Sequence, residues 1–171
     1  MIPRHLAGLA LAAVLILLSA VPAFAAGSAS ASASSERAAR VAQVVKEMQF
    51  IWPASGTVSS PYGPRWGGFH PGIDIANLRS LAVRAAAAGQ VVAVGYLAGY
   101  EGYGDTVLVD IGNGYMLLYG HLSRATVQVG DDLAQGDPIG SAGCTGRCSG
   151  THLHFEMRKN GRWADPTPFL P

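Results

Sequence analysis

The stretch TVLVDIGNGYMLLYGHL, residues 106–122, is the clearest indication of the fold. Two apolar runs flank Asn113-Gly114, a pair that in this setting is a strong signal for a β-hairpin. Short runs rich in Val, Leu and Tyr, separated by Gly and Pro, continue from residue 51 onward without a repeat of fixed period. We therefore expect an all-β fold, with one compact antiparallel β-sheet or sandwich over residues 50–171.

The N-terminal segment, residues 1–25, has the plan of a secretory signal peptide. Arg4 supplies a positive start, residues 6–18 form an apolar run, and Ala23-Phe24-Ala25 after Pro22 is a small-x-small cleavage site. An uncleaved membrane anchor is the alternative, but Pro22 and the cleavage site suit processing better than spanning. We expect an exported protein with no stable membrane insertion after cleavage.

Residues 26–49 are expected to be a linker followed by a short helix. The Gly/Ser/Ala-rich residues 27–35 have nothing to bury. A stripe at helical spacing follows, formed by Val41, Val44, Val45 and Met48. This pattern predicts a short amphipathic helix outside the β domain, which either serves as a stalk, pro-segment or partner surface, or packs on its own domain.

The charge balance argues against recognition of nucleic acid or anionic membrane by bulk charge. The chain has 12 Lys and Arg residues against 11 Asp and Glu residues. Of these, only Arg4 lies in the predicted signal peptide, so the exported chain is expected to be neutral. Attraction of polyanions by bulk charge requires a net excess of Lys and Arg.

The two cysteines, Cys144 and Cys148, are expected to form one disulfide. An even and very small number of cysteines in an exported protein usually means a bridge. The alternative, a pair of thiolate metal ligands, is disfavoured because exported thiols oxidise. The closed loop is small, so its entropic contribution to stability is modest, but it leads directly toward His152 and can stiffen that approach.

Histidines are concentrated in the β region of the chain. His5 belongs to the predicted signal peptide, and the other four are His70, His121, His152 and His154. Because side chains alternate along a strand, the stretch THLHFEMRKNGRW places His152, His154 and Glu156 on one face. The opposite face, with Leu153, Phe155 and Met157, is expected to be core. The histidine face is expected to border a cleft or solvent.

The stretch FHPGID adds His70 and Asp74. Pro71-Gly72 between them predicts a turn that brings the two side chains together. A histidine and a carboxylate that meet an imidazole from a distant strand form a suitable set for Zn²⁺, and three protein ligands leave a fourth position open for water. The spacing alone does not say whether His152 or His154 is the third ligand.

These motifs, in the order FHPGID, YGHLS and THLHFE, resemble the lysostaphin-type (LytM-like) zinc metallopeptidases, which cleave peptidoglycan cross-links. The resemblance covers about residues 51–171 and includes the lead-in SSPYGPRW, the segment GDDLAQGDPIGSAG and the closing DPTPFL. Two departures are the cysteines of SAGCTGRCSGTHLHFE and the irregular approach ANLRSLAVRAAAAGQVV. They bear on loops rather than on the chemistry.

The resemblance implies a role for each motif residue. His70, Asp74 and His154 match the zinc ligands, with one zinc ion per chain. His121 and His152 match the catalytic histidines, and their acid and base roles are not separated. The family implies hydrolysis of peptide stems and cross-bridges by a metal-activated water, in a secreted, cell-wall-associated protein that is expected to be a monomer.

Two other functions remain open. Some relatives of this fold lose ligands and act as non-catalytic regulators or scaffolds of wall hydrolases, although every ligand position is present here. A zinc carboxypeptidase of the wall is the second alternative.

Tyr62, Trp66 and Tyr103 are candidates to shape the substrate groove, with core packing as the more common role for such residues. Glu156 is interpreted as structural. The sequence does not specify which bond is cleaved.

Overall fold

The computed structural model describes residues 35–36, 39, 48–65 and 67–171. The chain divides into two units, Met1–Ala39 and Arg40–Pro171, and the architecture described here belongs to the second. The predicted signal peptide and nearly all of the predicted helix lie outside the described residues, as does Trp66. In the part of the chain that is described, no helix is long and apolar enough to cross a membrane.

Residues 48–65 and 67–171 contain strands and two 3₁₀ turns, Glu101–Tyr103 and Thr167–Phe169, but no α-helix. In chain order the strands are β1 Thr57–Ser60, β2 Gly63–Arg65, β3 Gly68–His70, β4 Gly72–Ala76, β5 Ala82–Arg84, β6 Gly89–Tyr96, β7 Asp105–Gly112, β8 Tyr115–Ala125, β9 Asp132–Leu133, β10 Pro138–Ala142, β11 Leu153–Lys159 and β12 Arg162–Ala164.

Ten of these strands form one antiparallel sheet, which confirms the all-β prediction. The main path runs β1-β4-β11-β8-β7-β6-β9, while β10 pairs with β5 and β8, and β12 pairs with β11. Strands β2 and β3 form a separate hairpin. The predicted hairpin is β7–β8, and Asn113 and Gly114 at its turn both have positive φ angles, 52° and 74°. Both angles are required by a type I′ turn.

The core lies on one face of the central strands. In β11 the alternation predicted from sequence holds, because Leu153, Phe155 and Met157 are all buried. They pack with Ile73 and Ile75 of β4. On the opposite face of β11, His154 and Glu156 are also buried, and the histidines on this side border a cleft, one of the two surroundings expected for that face. The buried polar side chains of this face therefore need internal partners.

The predicted turn at Pro71-Gly72 is wrong. Pro71 is a one-residue break between β3 and β4, and the chain continues into a new strand. Gly72 is needed because β4 runs very close to β11, where a Cβ on Gly72 would collide with the carbonyl oxygen of Phe155.

Replacing Gly72 by Ala is therefore expected to destabilise the fold by about 1–3 kcal/mol, the usual cost of overpacking. Chemical denaturation measures the effect. Gly68→Ala is the matched control, because a Cβ there would lie 3.6 Å from the Arg65 carbonyl oxygen, an ordinary contact. Equal stability of the two variants would contradict this account of Gly72.

Candidate metal and catalytic site

The register of the sheet places Asp74 beside His154. In the β4–β11 ladder, His154 is directly opposite Asp74, and in the β11–β8 ladder it is opposite Gly120. Directly opposed residues on neighbouring antiparallel strands project to the same face. Gly120 has no side chain, which leaves space on that side for Tyr103, whose ring centroid is 5.1 Å from that of His154.

His70 enters the same site from the end of β3. Its Nδ1 lies 2.8 Å from the carbonyl oxygen of Pro61. A carbonyl oxygen only accepts, so Nδ1 carries the hydrogen and donates it. In the neutral imidazole, Nε2 therefore keeps its lone pair, and this atom faces Asp74 and His154. A hydrogen bond of this kind from the second ring nitrogen is typical of metal-ligating histidines.

Three donor atoms converge at this point, and we call His70, Asp74 and His154 the ligand cluster. Asp74 Oδ1 is 3.1 Å from His70 Nε2 and 2.9 Å from His154 Nδ1, and the two nitrogens are 3.2 Å apart. Tetrahedral ligands at about 2.0–2.2 Å from Zn²⁺ are separated by roughly 3.3–3.6 Å. Two imidazoles and one carboxylate at nearly this spacing fit a zinc ion.

Asp74 is held in its ionised form. Burial raises the pKa of its carboxyl group, but hydrogen bonds and charge interactions with His154 and His70 outweigh burial and hold the pKa well below its usual range. Arg65 Nη1 also lies 3.2 Å from Asp74 Oδ2. The sequence interpretation gave no role to Arg65. In the sequence, the one feature that could have indicated a role for Arg65 is its position in the SSPYGPRW segment, which is part of the family resemblance.

Glu156 supports His154 from behind. Its Oε2 is 3.6 Å from His154 Nε2, the ring nitrogen that points away from the ligand cluster. Glu156 is fully buried; it accepts a hydrogen bond from the Tyr103 hydroxyl at 2.8 Å and pairs with Arg158. Burial raises the pKa of the Glu156 carboxyl group, but its contacts with His154 and Arg158 outweigh burial and lower it. An ionised Glu156 thus faces the outer side of a candidate ligand.

His121 and His152 lie side by side next to the ligand cluster, with ring centroids 4.6 Å apart. His121 belongs to β8 yet has a φ of 59°, a left-handed conformation that is uncommon for a residue with a side chain. His152 precedes β11 and forms an isolated bridge with Gly143. Its Nε2 is 3.6 Å from Asp74 Oδ1. Burial lowers the pKa of His121.

A cleft of about 690 Å³ opens over these residues and is bordered by His70, His121, His152 and His154. Tyr103 lines this cleft, as proposed from sequence. Tyr62 instead packs edge-on against Phe69, beside a separate hollow that also contains Trp163. The predicted disulfide between Cys144 and Cys148 is present. It closes the loop that leads to His152.

Comparisons with known proteins show the family and the fold. A family model described as Peptidase family M23 matches residues 68–166. The catalytic domain of the antimicrobial peptidase lysostaphin from Staphylococcus simulans superimposes with a TM-score of 0.60 and 32% identity, over 67% of this chain and 91% of that one.

Two relatives in sequence carry names that refer to NlpD rather than to a peptidase. The chain is 38% identical over 122 residues to the lipoprotein NlpD/LppB homolog of Pseudomonas aeruginosa, a match that covers 71% of this chain. It is 35% identical over 120 residues to the murein hydrolase activator NlpD of Escherichia coli K12, covering 70% of this chain. The matches span only 40% and 31% of the lengths of those two relatives.

Proposed function

This chain belongs to peptidase family M23, and from that premise we propose that it is a zinc-dependent endopeptidase that hydrolyses the peptide cross-links of bacterial peptidoglycan. The observation that carries the proposal is the completeness of the site. A three-donor ligand cluster lies beside two further histidines in one open cleft. We propose that the ligands are His70, Asp74 and His154, that the catalytic residues are His121 and His152, and that the protein acts as a monomer in the cell envelope.

The division of labour follows from the chemistry of each group. A zinc ion held by the ligand cluster would polarise the scissile carbonyl and acidify a water molecule. His121 and His152 direct Nε2 into the cleft, because Nδ1 of each ring lies 2.7–2.8 Å from a backbone carbonyl oxygen. A neutral imidazole accepts the proton of the attacking water, and an imidazolium stabilises the oxyanion or protonates the leaving amine. Burial lowers the pKa of His121 and so favours its neutral form.

A second candidate function is activation of another murein hydrolase. It is supported by the name of the E. coli relative, murein hydrolase activator NlpD. An activator needs a binding surface but not a complete set of metal ligands and proton-transfer groups, so the intact site favours the peptidase. A zinc carboxypeptidase of the wall would use the same ligand cluster and differ in the bond that it cleaves.

These functions are separated by an assay in which the purified protein without the predicted signal peptide is incubated with purified peptidoglycan and stoichiometric zinc. Mass spectrometry should detect muropeptides released by cleavage within cross-bridges or between stems. Release of single terminal residues would instead indicate a carboxypeptidase. No release by the protein alone, combined with stimulation of an added amidase, would support the activator. Light scattering of the purified protein, before peptidoglycan is added, should give the mass of one chain.

Zinc affinity is expected to decrease as the pH falls below neutrality. Burial lowers the pKa of His154, but the carboxylates of Asp74 and Glu156 outweigh burial and raise it above the ordinary value of 6.5. Below this raised pKa the metal must displace a proton from His154, so affinity should fall about tenfold per pH unit for each proton displaced. Competition with a chelator across mildly alkaline to mildly acidic buffers measures this. An affinity that does not change with pH would contradict it.

A further inference from the structure

We propose that the disulfide loop, residues 144–150, is a positioning device that fixes the tautomer and direction of both His121 and His152. The inference rests on the proposed function for its catalytic meaning, while its structural content stands by itself. The two histidines come from different parts of the chain, yet each one is hydrogen-bonded to a backbone carbonyl near one end of this single loop.

The two hydrogen bonds have the same chemistry. Nδ1 of His121 lies 2.8 Å from the carbonyl oxygen of Thr145, and Nδ1 of His152 lies 2.7 Å from the carbonyl oxygen of Gly150. Because each carbonyl can only accept, each ring carries its hydrogen on Nδ1 and leaves the Nε2 lone pair for the cleft. The opposite tautomer would put two lone pairs face to face, so the loop selects one form of each histidine.

His121 has an unfavourable backbone conformation at an irregular point in the pairing of β8. A left-handed φ such as the 59° of His121 costs on the order of 1 kcal/mol or more for a residue with a Cβ, and such residues persist only when their surroundings hold them. The Thr145 carbonyl oxygen contacts the ring of His121 at 2.8 Å, so the loop is one of the groups that surround this strained residue.

Thr145 fastens one end of the loop to the sheet. Its hydroxyl donates to the Leu122 carbonyl oxygen at 2.8 Å and accepts from the Asp105 backbone N–H at 2.9 Å. The backbone N–H of Arg147 donates to the Gly102 carbonyl oxygen at 2.9 Å. Gly104 packs so closely on Thr145 that a Cβ on Gly104 would collide with it.

The other end of the loop is held by the disulfide and by the bridge to Gly143, in which the His152 backbone N–H donates to the Gly143 carbonyl oxygen at 3.1 Å. Ser149 and Gly150 are exposed and lie outside any strand, so few buried contacts fix the Gly150 carbonyl. Cys148 Sγ is 2.9 Å from the Gly150 carbonyl oxygen and 3.7 Å from His152 Nδ1. The cross-link to Cys144 therefore restricts the segment that aligns His152, in a region where the backbone would otherwise retain much conformational freedom.

Two sets of variants test each end separately. The double variant Cys144→Ser/Cys148→Ser removes the cross-link, and Thr145→Val removes both hydroxyl hydrogen bonds while it keeps the side-chain shape. Thr145→Ser is the matched control, because it retains the hydroxyl. Circular dichroism and zinc stoichiometry establish that each variant is folded and metal-loaded.

Long-range ¹⁵N–¹H correlation spectra of the histidine rings in mildly alkaline solution report the tautomers directly. We expect the Nδ1–H form alone for His121 and His152 in the parent protein and in Thr145→Ser. Mixed tautomers are expected for His152 in the double cysteine variant and for His121 in Thr145→Val, with His70 unchanged in both. On peptidoglycan, kcat should fall about tenfold or more while KM stays within about twofold, as expected for misaligned proton-transfer groups.

Unchanged tautomers of both histidines in both variants would overturn the proposal, whatever the activity. If the parent protein does not cleave peptidoglycan but the histidine tautomers of the two variants shift as expected, the endopeptidase function is overturned and the positioning role remains supported. The spectroscopic readout therefore separates failure of this inference from failure of the proposed function.

Discussion

Replacement of His154 by Ala is expected to abolish both zinc retention and lytic activity. His154 supplies one of the three donor atoms of the ligand cluster, and it lies between Asp74 and Glu156, at 2.9 and 3.6 Å from their carboxylate oxygens. Removal of an outer partner of a ligand costs about 10–100-fold in affinity, and loss of the ligand itself should cost more. Elemental analysis after dialysis, together with peptidoglycan digestion, measures the two losses.

The variant also leaves the buried Glu156 and the half-buried Asp74 without the imidazole that separates them, so its stability must be checked. His154→Asn is a second variant, because it keeps a polar group near the position of Nδ1 and still lacks the imidazole donor. A folded His154→Ala protein with full zinc occupancy would remove His154 from the ligand set. His121→Ala is the matched control, since it removes the same kind of side chain from the same cleft without touching the proposed ligands.

Replacement of His121 by Ala is expected to leave zinc binding intact and to lower turnover about 10²-fold or more, the usual contribution of a positioned acid or base. His121 lies outside the ligand cluster; its ring centroid is 6.0 Å from that of His154 and 4.6 Å from that of His152. The loss should therefore fall on kcat rather than on metal content. Steady-state kinetics on a defined cross-linked muropeptide, with zinc measured on the same sample, tests this.

The left-handed backbone at His121 requires a second variant. Ala retains the conformational strain of this position, whereas Asn tolerates positive φ better and still cannot transfer a proton at neutral pH. His121→Asn should thus show the same loss of turnover with less loss of stability. Normal cleavage of peptidoglycan by either zinc-loaded variant would exclude a catalytic role for His121.

Several features could be predicted from sequence because they depend on neighbours in the chain. Asn113-Gly114 specifies its hairpin because both residues tolerate positive φ, and the strand alternation places Phe155 in the core and His154 on the opposite face. The disulfide was predicted from two cysteines four residues apart in a chain whose N-terminus is predicted to be an export signal. The assignment of ligands and catalytic histidines came from the resemblance of the motifs, not from spacing, and it remains a proposal.

Other features depend on parts of the chain that are far apart in sequence. Asp74 meets His154 across 80 positions because the β4–β11 register sets them opposite each other, and no local pattern contains that register. Arg65 and Glu156 acquired partners only in the folded site, and Pro71-Gly72 proved to be a strand boundary rather than a turn. The site is assembled by long-range strand pairing and by backbone carbonyls, whose positions no side-chain motif encodes.

By itself, the sequence therefore determined the all-β class, the β7–β8 hairpin turn, the alternation in β11 and the residue types available for the chemistry, because local backbone preference and side-chain alternation act over a few residues. Only the tertiary structure decided which donors converge, which ring nitrogen of each histidine faces the cleft, and that the Thr145 and Gly150 carbonyls set this choice. Those outcomes depend on distances between strands and loops, and such distances are fixed only when the whole sheet is packed.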